Sequence, residues 1–253
     1  MAKHYIIMSS SYTDGTRIAL DITEDTLLNS ERIRSIIDDI KSSCDKDVPL
    51  STHFIETDST SWQSVKDYDP FFEGVENVET VAEFAQKVKS GRKLCGLDVA
   101  NYILSKVKCT HLSLEKLVYF AYADYLCSYS EKLFEDKIYA FTYGPVIGSV
   151  YSTYKKSGYD YVRPIQNNEY EQIFQRSDKE LPARSRILFA INGVQKLQSI
   201  DRTLETYKNL SAIELVELTH TLGAPWSYVD HSEPYAIISD DLIRTFHYME
   251  SVD

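Results

Sequence analysis

The fold of this chain is decided by residues 97–158, which run LDVANYILSKVKCTHLSLEKLVYFAYADYLCSYSEKLFEDKIYAFTYGPVIGSVYSTYKKSG. Apolar residues recur every three or four positions in the first part, which predicts a helix over 97–107 and a second helix capped by Ser113. The composition then becomes β-branched and aromatic, so we expect a strand over 138–143 that Gly144 ends with a tight bend. Pro145 suits the first position of a further helix, and Gly158 is placed to close that helix.

Toward the amino terminus, residues 1–90 predict a small α/β domain. We expect a hairpin of two short strands around the Asp-Gly turn at 12–15, a helix that Asn29 caps, and another strand at 51–57. Residues 58–74 have no clear period and are predicted as a loop with a short helical turn at most, after which 77–89 returns to helix. The polar stretch 90–93 is the predicted linker.

Toward the carboxyl terminus, the pattern is helical. A helix is predicted over 182–197, and the next one has a capping box, because Ser211 is followed three residues later by Glu214. A last helix is expected to begin at Ser239. The predicted fold class is therefore α+β: a mainly helical domain over 95–253 with a short β element, preceded by the α/β domain.

The composition narrows the function classes. The net charge of −11 argues against a nonspecific nucleic-acid surface, which needs clustered Lys and Arg, and suits a basic protein partner. The four cysteines are scattered and lack the paired spacing of metal ligands. This pattern fits a reduced cytoplasm better than a disulfide or zinc framework. No apolar run approaches the ~20 residues of a membrane helix, and the first residues lack a secretory pattern. We expect a cytoplasmic protein without a membrane segment, metal or cofactor.

A search for catalytic patterns finds none that is convincing. There is no Gly-rich phosphate loop after a strand, no helix-face histidine pair with a carboxylate, and no Gly-flanked nucleophilic Ser. Cys127 could act as a nucleophilic thiol with His111 or His220 as its base. However, Cys127 lies near the apolar stripe of a predicted helix, so a core cysteine is the simpler interpretation. No catalytic residue is therefore predicted.

Aromatic residues point to binding instead. Among nineteen tyrosines, several cluster on the second central helix and in the elements after it, where a packing stripe and an exposed recognition patch are equally compatible with the spacing. His220 follows a helix end, and Trp226 comes six residues later. Each could pack or cap within the fold, or could contact a partner.

Four motifs follow one another along the second half of the chain. They are LDVANYIL at 97–104, LEKLVYFA at 114–121, FTYGPV at 141–146 followed by Val150-Tyr151, and ELVELTH at 214–220 leading to Pro225-Trp226. In order and spacing they resemble the Panacea domain, an antitoxin domain whose relatives include SocA-like proteolytic adaptors. The resemblance covers roughly residues 95–235, whereas residues 1–90 have no match.

The resemblance implies a mostly helical, non-enzymatic binding domain that neutralises a protein toxin by direct contact or by delivery to a protease. We therefore expect the antitoxin of a bacterial or phage toxin–antitoxin pair. The alternative is a phage-borne or regulatory adaptor that binds a host protein other than a toxin. A third class, an enzyme with its activity in residues 1–90, has little support. The predicted partner-binding residues are Tyr143, Gly144, Pro145, Tyr151, His220, Pro225 and Trp226.

Overall fold

The structure is a computed structural model that describes residues 1–11, 16–24, 29–44, 47–164 and 183–252. Backbone contacts divide the chain into two compact units, of which the first contains Met1–Lys93 and the second begins at Leu94. A sheet with flanking helices forms the first unit and helices dominate the second, so the predicted α+β class is confirmed. Within these residues, no helix combines the length and the apolar character needed to cross a bilayer.

The first unit is built on a four-stranded sheet with the order β3-β1-β2-β4. β1 pairs antiparallel with both β2 and β3, and β2 pairs parallel with β4. One apolar cluster joins the sheet to α1 and α3, and another lies around α2. The elements are β1 (Ala2–Ser11), β2 (Thr16–Glu24), α1 (Ser30–Cys44), β3 (Ser51–Thr57), α2 (Trp62–Tyr68), β4 (Val75–Val78) and α3 (Val81–Gly91).

The second unit surrounds one long helix, α5 (His111–Tyr129), which is buried on nearly all sides. A helix that is apolar all round belongs in a core, and its neighbours here are helices and a two-stranded antiparallel hairpin, β5-β6. The other elements are α4 (Gly96–Leu104), β5 (Ile138–Phe141), β6 (Gly144–Ile147), α6 (Gly148–Tyr154), α7 (Ala183–Leu188), α8 (Gly193–Tyr207), α9 (Ala212–Thr219) and α10 (Asp240–Phe246).

The tyrosines of α5 pack in the core, which decides between the two interpretations of their spacing. Tyr119, Tyr122 and Tyr125 are buried, and each hydroxyl donates a hydrogen bond to an acidic or amide side chain. A buried Tyr needs such a partner for its hydroxyl. These three residues therefore do not form an exposed recognition patch.

Pro145 corrects the prediction of a helix after Gly144, because it lies in β6 opposite Ala140. The Ala140 N–H donates to the Ala236 carbonyl on the other side of β5. The Ala140–Pro145 pair is therefore a non-hydrogen-bonded pair of the hairpin, where the missing N–H of proline removes no ladder bond. Gly144 likewise begins a second strand instead of ending the first.

Other local predictions also need correction. The long helix is capped by Thr110, whose Oγ1 accepts from the Ser113 N–H, so Ser113 is not the cap. Residues 62–68 form a helix that the aperiodic composition did not indicate. The helix predicted over 182–197 is two helices, and Asn192 between them has φ of 56°. Pro182 and the predicted turn at 12–15 lie outside the described residues.

Candidate functional site

The β5-β6 hairpin projects an exposed tyrosine from its turn. Thr142 and Tyr143 connect the two strands, and 67% of Tyr143 is exposed. Gly144 follows with φ of +94°, a backbone conformation that residues with a Cβ rarely adopt. The turn geometry therefore depends on glycine, and it places a large aromatic side chain in solvent.

Position 144 has no room for a side chain, which is a second reason why glycine is needed there. A Cβ at this position would lie 2.5 Å from Thr219 Oγ1 and 3.1 Å from Lys116 Cε. Thr219 ends α9 and Lys116 belongs to α5, so both helices touch the backbone of the turn. The close approach fixes the turn against the helical core.

Two buried ionisable side chains of α5 hold the second strand of the hairpin. Lys116 Nζ donates to the Pro145 carbonyl at 2.7 Å, and Glu115 Oε2 accepts from the Ile147 N–H at 2.9 Å. Burial lowers the pKa of Lys116 to about 7, against the raising effect of Glu115 and Glu250. Burial raises the pKa of Glu115, although hydrogen bonds from His111 and Ile147 oppose that shift.

Trp226 and His220 hold the first strand and the turn. Trp226 Nε1 donates to the Phe141 carbonyl at 2.9 Å. His220, at the end of α9, has Nε2 at 3.2 Å from the Thr142 carbonyl oxygen and Nδ1 at 2.8 Å from the Val216 carbonyl oxygen. The Trp226 ring lies between the rings of His220 and His231, with centroid distances of 3.9 and 4.0 Å. These polar groups are used inside the fold.

A continuous aromatic surface lies beside the hairpin, and we call it the hairpin face: Tyr139, Phe141, Tyr151 and Tyr235. The Phe141 ring is central, with centroids 5.0 Å from Tyr151 and 5.8 Å from Tyr235. Tyr139 contacts both Phe141 and Tyr235. Tyr235 is 70% exposed and the other three rings are half-buried, so the face is open to solvent.

The segment containing Tyr235 is attached to the hairpin by its backbone. The Ile238 N–H donates to the Ile138 carbonyl at 2.9 Å, and the Ala236 carbonyl accepts from Ala140. Ile237 therefore forms an antiparallel bridge with Tyr139. Tyr235 has φ of 62°, so the chain turns sharply where its ring joins the face.

The structure brings the seven predicted partner-binding residues into one part of the second unit. Of these residues, Tyr143 is exposed, Tyr151, His220 and Trp226 are half-buried, and Gly144, Pro145 and Pro225 are buried. The buried ones shape and support the hairpin. Sequence reasoning missed Phe141 and Tyr235, as well as Glu115 and Lys116. The only local signal for the last two is a pair of oppositely charged residues within a largely apolar helix.

Another buried polar network ties the carboxyl-terminal residues to α5. His247 lies between Glu250 Oε1 at 2.9 Å and Asp124 Oδ1 at 2.8 Å, and the Tyr119 hydroxyl donates to the same Glu250 oxygen. Burial alone would lower the pKa of His247, but the two carboxylates raise it to about 9. His247 is therefore a buried imidazolium at neutral pH.

The cysteine and metal alternatives find no support in the described residues. The four cysteines are free, and desolvation together with the charges of Asp124 and Glu250 raises the pKa of Cys127 to about 11, which keeps it a thiol. Across the described ranges, no group of three or more His, Cys, Asp or Glu side chains could hold a metal ion. Cys127 is exposed, so the interpretation of a core cysteine is wrong, although its thiol donates to the Ile243 carbonyl.

Comparisons with known proteins agree with these motifs. Residues 114–227 match the family model described as "Antitoxin SocA-like, Panacea domain". Among curated proteins, "Antitoxin SocA" of Caulobacter vibrioides (strain NA1000 / CB15N) is 28% identical over 137 residues, which is 52% of this chain and 68% of that protein. No solved structure matches the chain significantly. The matched residues include most of α5, the hairpin, α9 and Trp226.

Proposed function

We propose that the protein is an antitoxin that neutralises a cognate protein toxin by direct contact, because residues 114–227 match the SocA-like Panacea domain. Its role is binding, with no catalytic step. The proposed place of action is the cytoplasm of a bacterium, including one that carries a phage.

One observation carries the proposal: the hairpin is rigidly supported from inside and aromatic on the outside. Lys116, Glu115 and Trp226 each make a hydrogen bond to its backbone. Because the supporting bonds are already formed, a partner that binds the exposed Tyr143 need not order a loop first. Strong protein interfaces often contain aromatic side chains that are already ordered in the free protein, because such side chains lose little conformational entropy on binding.

Coexpression with the product of the adjacent reading frame tests the proposal. We expect that product to arrest growth alone, and the wild-type chain to restore growth and copurify with it. Tyr143→Ala should weaken both effects. Tyr159→Ala is the matched control, because Tyr159 is fully exposed and lies outside the hairpin. If the wild-type chain neither restores growth nor copurifies with that product, the proposed function is contradicted.

The mode of neutralisation needs a separate measurement. If contact alone neutralises the toxin, its half-life after translation is blocked should not shorten when the antitoxin is present. A shortened half-life, restored by deleting the cell's ATP-dependent proteases, would instead make the chain a proteolytic adaptor. Rescue of growth alone does not distinguish these two modes.

A further inference from the structure

The charges around the hairpin face are distributed unequally. Residues 138–154, which include the hairpin and α6, contain no charged side chain, and residues 209–243 contain six carboxylates and neither Lys nor Arg. Every ring of the hairpin face belongs to one of these two segments. The rings of the hairpin face therefore belong to segments without Lys or Arg, and one of these segments carries six carboxylates. Lys155, just beyond the other segment, contacts the Tyr151 ring.

The acidic segment reaches the face directly. Glu233 is exposed and lies two residues before Tyr235, while Asp230 is fully exposed at the start of the same turn. The Ser232 hydroxyl and N–H both donate to Asp230 Oδ1, which lowers the pKa of that carboxyl. Both carboxyl groups are exposed and lie within five residues of Tyr235 in the chain, so a cation that binds the Tyr235 ring would approach them.

The rings themselves can receive cations. Lys155 Nζ lies 5.8 Å from the centroid of the Tyr151 ring, which is within the range of a cation–π contact. Exposed apolar residues border the same region: Tyr143 lies in the hairpin turn, and Leu222, 89% exposed, is two residues beyond the histidine that faces this turn. Aromatic rings, carboxylates and aliphatic side chains together suit an Arg- or Lys-bearing segment with apolar neighbours.

We infer that the hairpin face is the docking surface for the toxin, and that the toxin presents to it a basic segment with flanking apolar residues. This inference rests on the proposed function and adds the chemistry of the partner. Carboxylates at the border attract the cationic segment and set the association rate, whereas the rings and Leu222 supply the buried apolar contact.

Measurements of the binding affinity between the purified full-length chain and the product of the adjacent reading frame test the inference. Glu233→Lys should weaken affinity about 10-fold, and raising NaCl from about 0.05 to 0.5 M should weaken wild-type binding by a similar factor. Tyr235→Gly should weaken affinity by about 10-fold or more while leaving thermal stability unchanged or higher, because glycine suits a positive φ. Tyr235→Phe should retain most of the affinity.

Asp38→Lys is the matched control for charge. It makes the same change in net charge at an exposed position of α1, so it should leave affinity within about twofold. Wild-type binding that is independent of salt and unaffected by both Glu233→Lys and Tyr235→Gly would overturn the inference and leave the proposed function intact. No binding by the wild-type chain, with no rescue of growth, would overturn both.

Discussion

Glu115 and Lys116 are consecutive residues of α5 that hold the same short strand at two points. Lys116 donates to the carbonyl of Pro145, and two residues later in β6 the N–H of Ile147 donates to Glu115. Both side chains are almost completely buried. Ionisable side chains are costly to bury unless hydrogen bonds satisfy them, and here those bonds go to the backbone of the hairpin.

Lys116→Met should destabilise the second unit by about 1–3 kcal/mol at pH 7, because the Pro145 carbonyl loses its donor. The methionine keeps the length of the side chain, so packing around Gly144 should change little. Denaturant unfolding of the purified protein measures this loss. Lys66→Met is the control, because Lys66 lies in the last turn of α2 in the first unit. An unchanged stability in Lys116→Met would contradict the supporting role of Lys116.

The same variant should change the dependence of stability on pH. The pKa of Lys116 is about 7 in the folded chain, below its ordinary value of 10.5, so the unfolded state holds more protons between these values. Stability of the wild type should therefore rise relative to Lys116→Met between pH 7 and 10, by up to about 1.4 kcal/mol per pH unit. If the free energies of unfolding of the wild type and of Lys116→Met change in parallel between pH 7 and 10, the prediction is refuted.

His247→Gln should show the opposite trend. The pKa of His247 is raised from 6.5 to about 9, so its stabilising contribution is complete below pH 6.5 and is lost as pH rises through 9. We expect a loss of about 2–4 kcal/mol at pH 6 that becomes smaller toward pH 9. Tyr248→Ala, at the exposed neighbouring position, should change stability by less than about 0.5 kcal/mol. A loss in His247→Gln that is equal at both pH values would contradict an imidazolium at this site.

Gly144→Ala should destabilise the second unit by about 2–4 kcal/mol, since it combines a strained positive φ with a clash against Thr219. Gly158→Ala is the comparison, because Gly158 also has a positive φ but no atom within 4 Å of the added Cβ. It should lose only about 1–2 kcal/mol. Equal losses in the two variants would show that the contact with Thr219 has no energetic role.

Trp226→Phe should loosen the hairpin without unfolding it. The aromatic contacts with His220 and His231 are largely kept, but the hydrogen bond to the Phe141 carbonyl is lost, at a cost of about 1 kcal/mol. Amide hydrogen exchange within β5 should become faster. Tyr228→Phe is the control because Tyr228 is exposed. Exchange as slow as in the wild type would show that Trp226 does not hold the strand.

Local rules predicted the elements whose signals lie close together in sequence. The capping box is present as expected, with Ser211 N–H donating to Glu214 and Glu214 N–H donating to Ser211 Oγ. The Asn29 cap and the strand Ser51–Thr57 are likewise confirmed, and Gly158 ends the helical segment as predicted, although that segment begins at Gly148 and not at Pro145. Each depends on a few neighbouring residues, so the sequence specifies them directly.

Elements decided by distant contacts could not be predicted in this way. Pro145 suits a helix start by itself, but its place in β6 depends on pairing with Ala140 and on the Ala236 carbonyl beyond it. The hairpin face depends on Tyr235, which is more than eighty positions from the other three rings. The local sequence pattern does not predict the contact of Tyr235 with these rings, because long-range packing overrides local preference.

Hydrogen–deuterium exchange of the full-length chain, alone and with the product of the adjacent reading frame, tests most directly whether the toxin docks on the hairpin. If the toxin docks on the hairpin of the second unit, peptides covering residues 138–151 and 220–238 should gain protection in the complex. Peptides from Met1–Lys93 should remain as in the free protein. Protection confined to Met1–Lys93, with the hairpin peptides unchanged, would contradict the account.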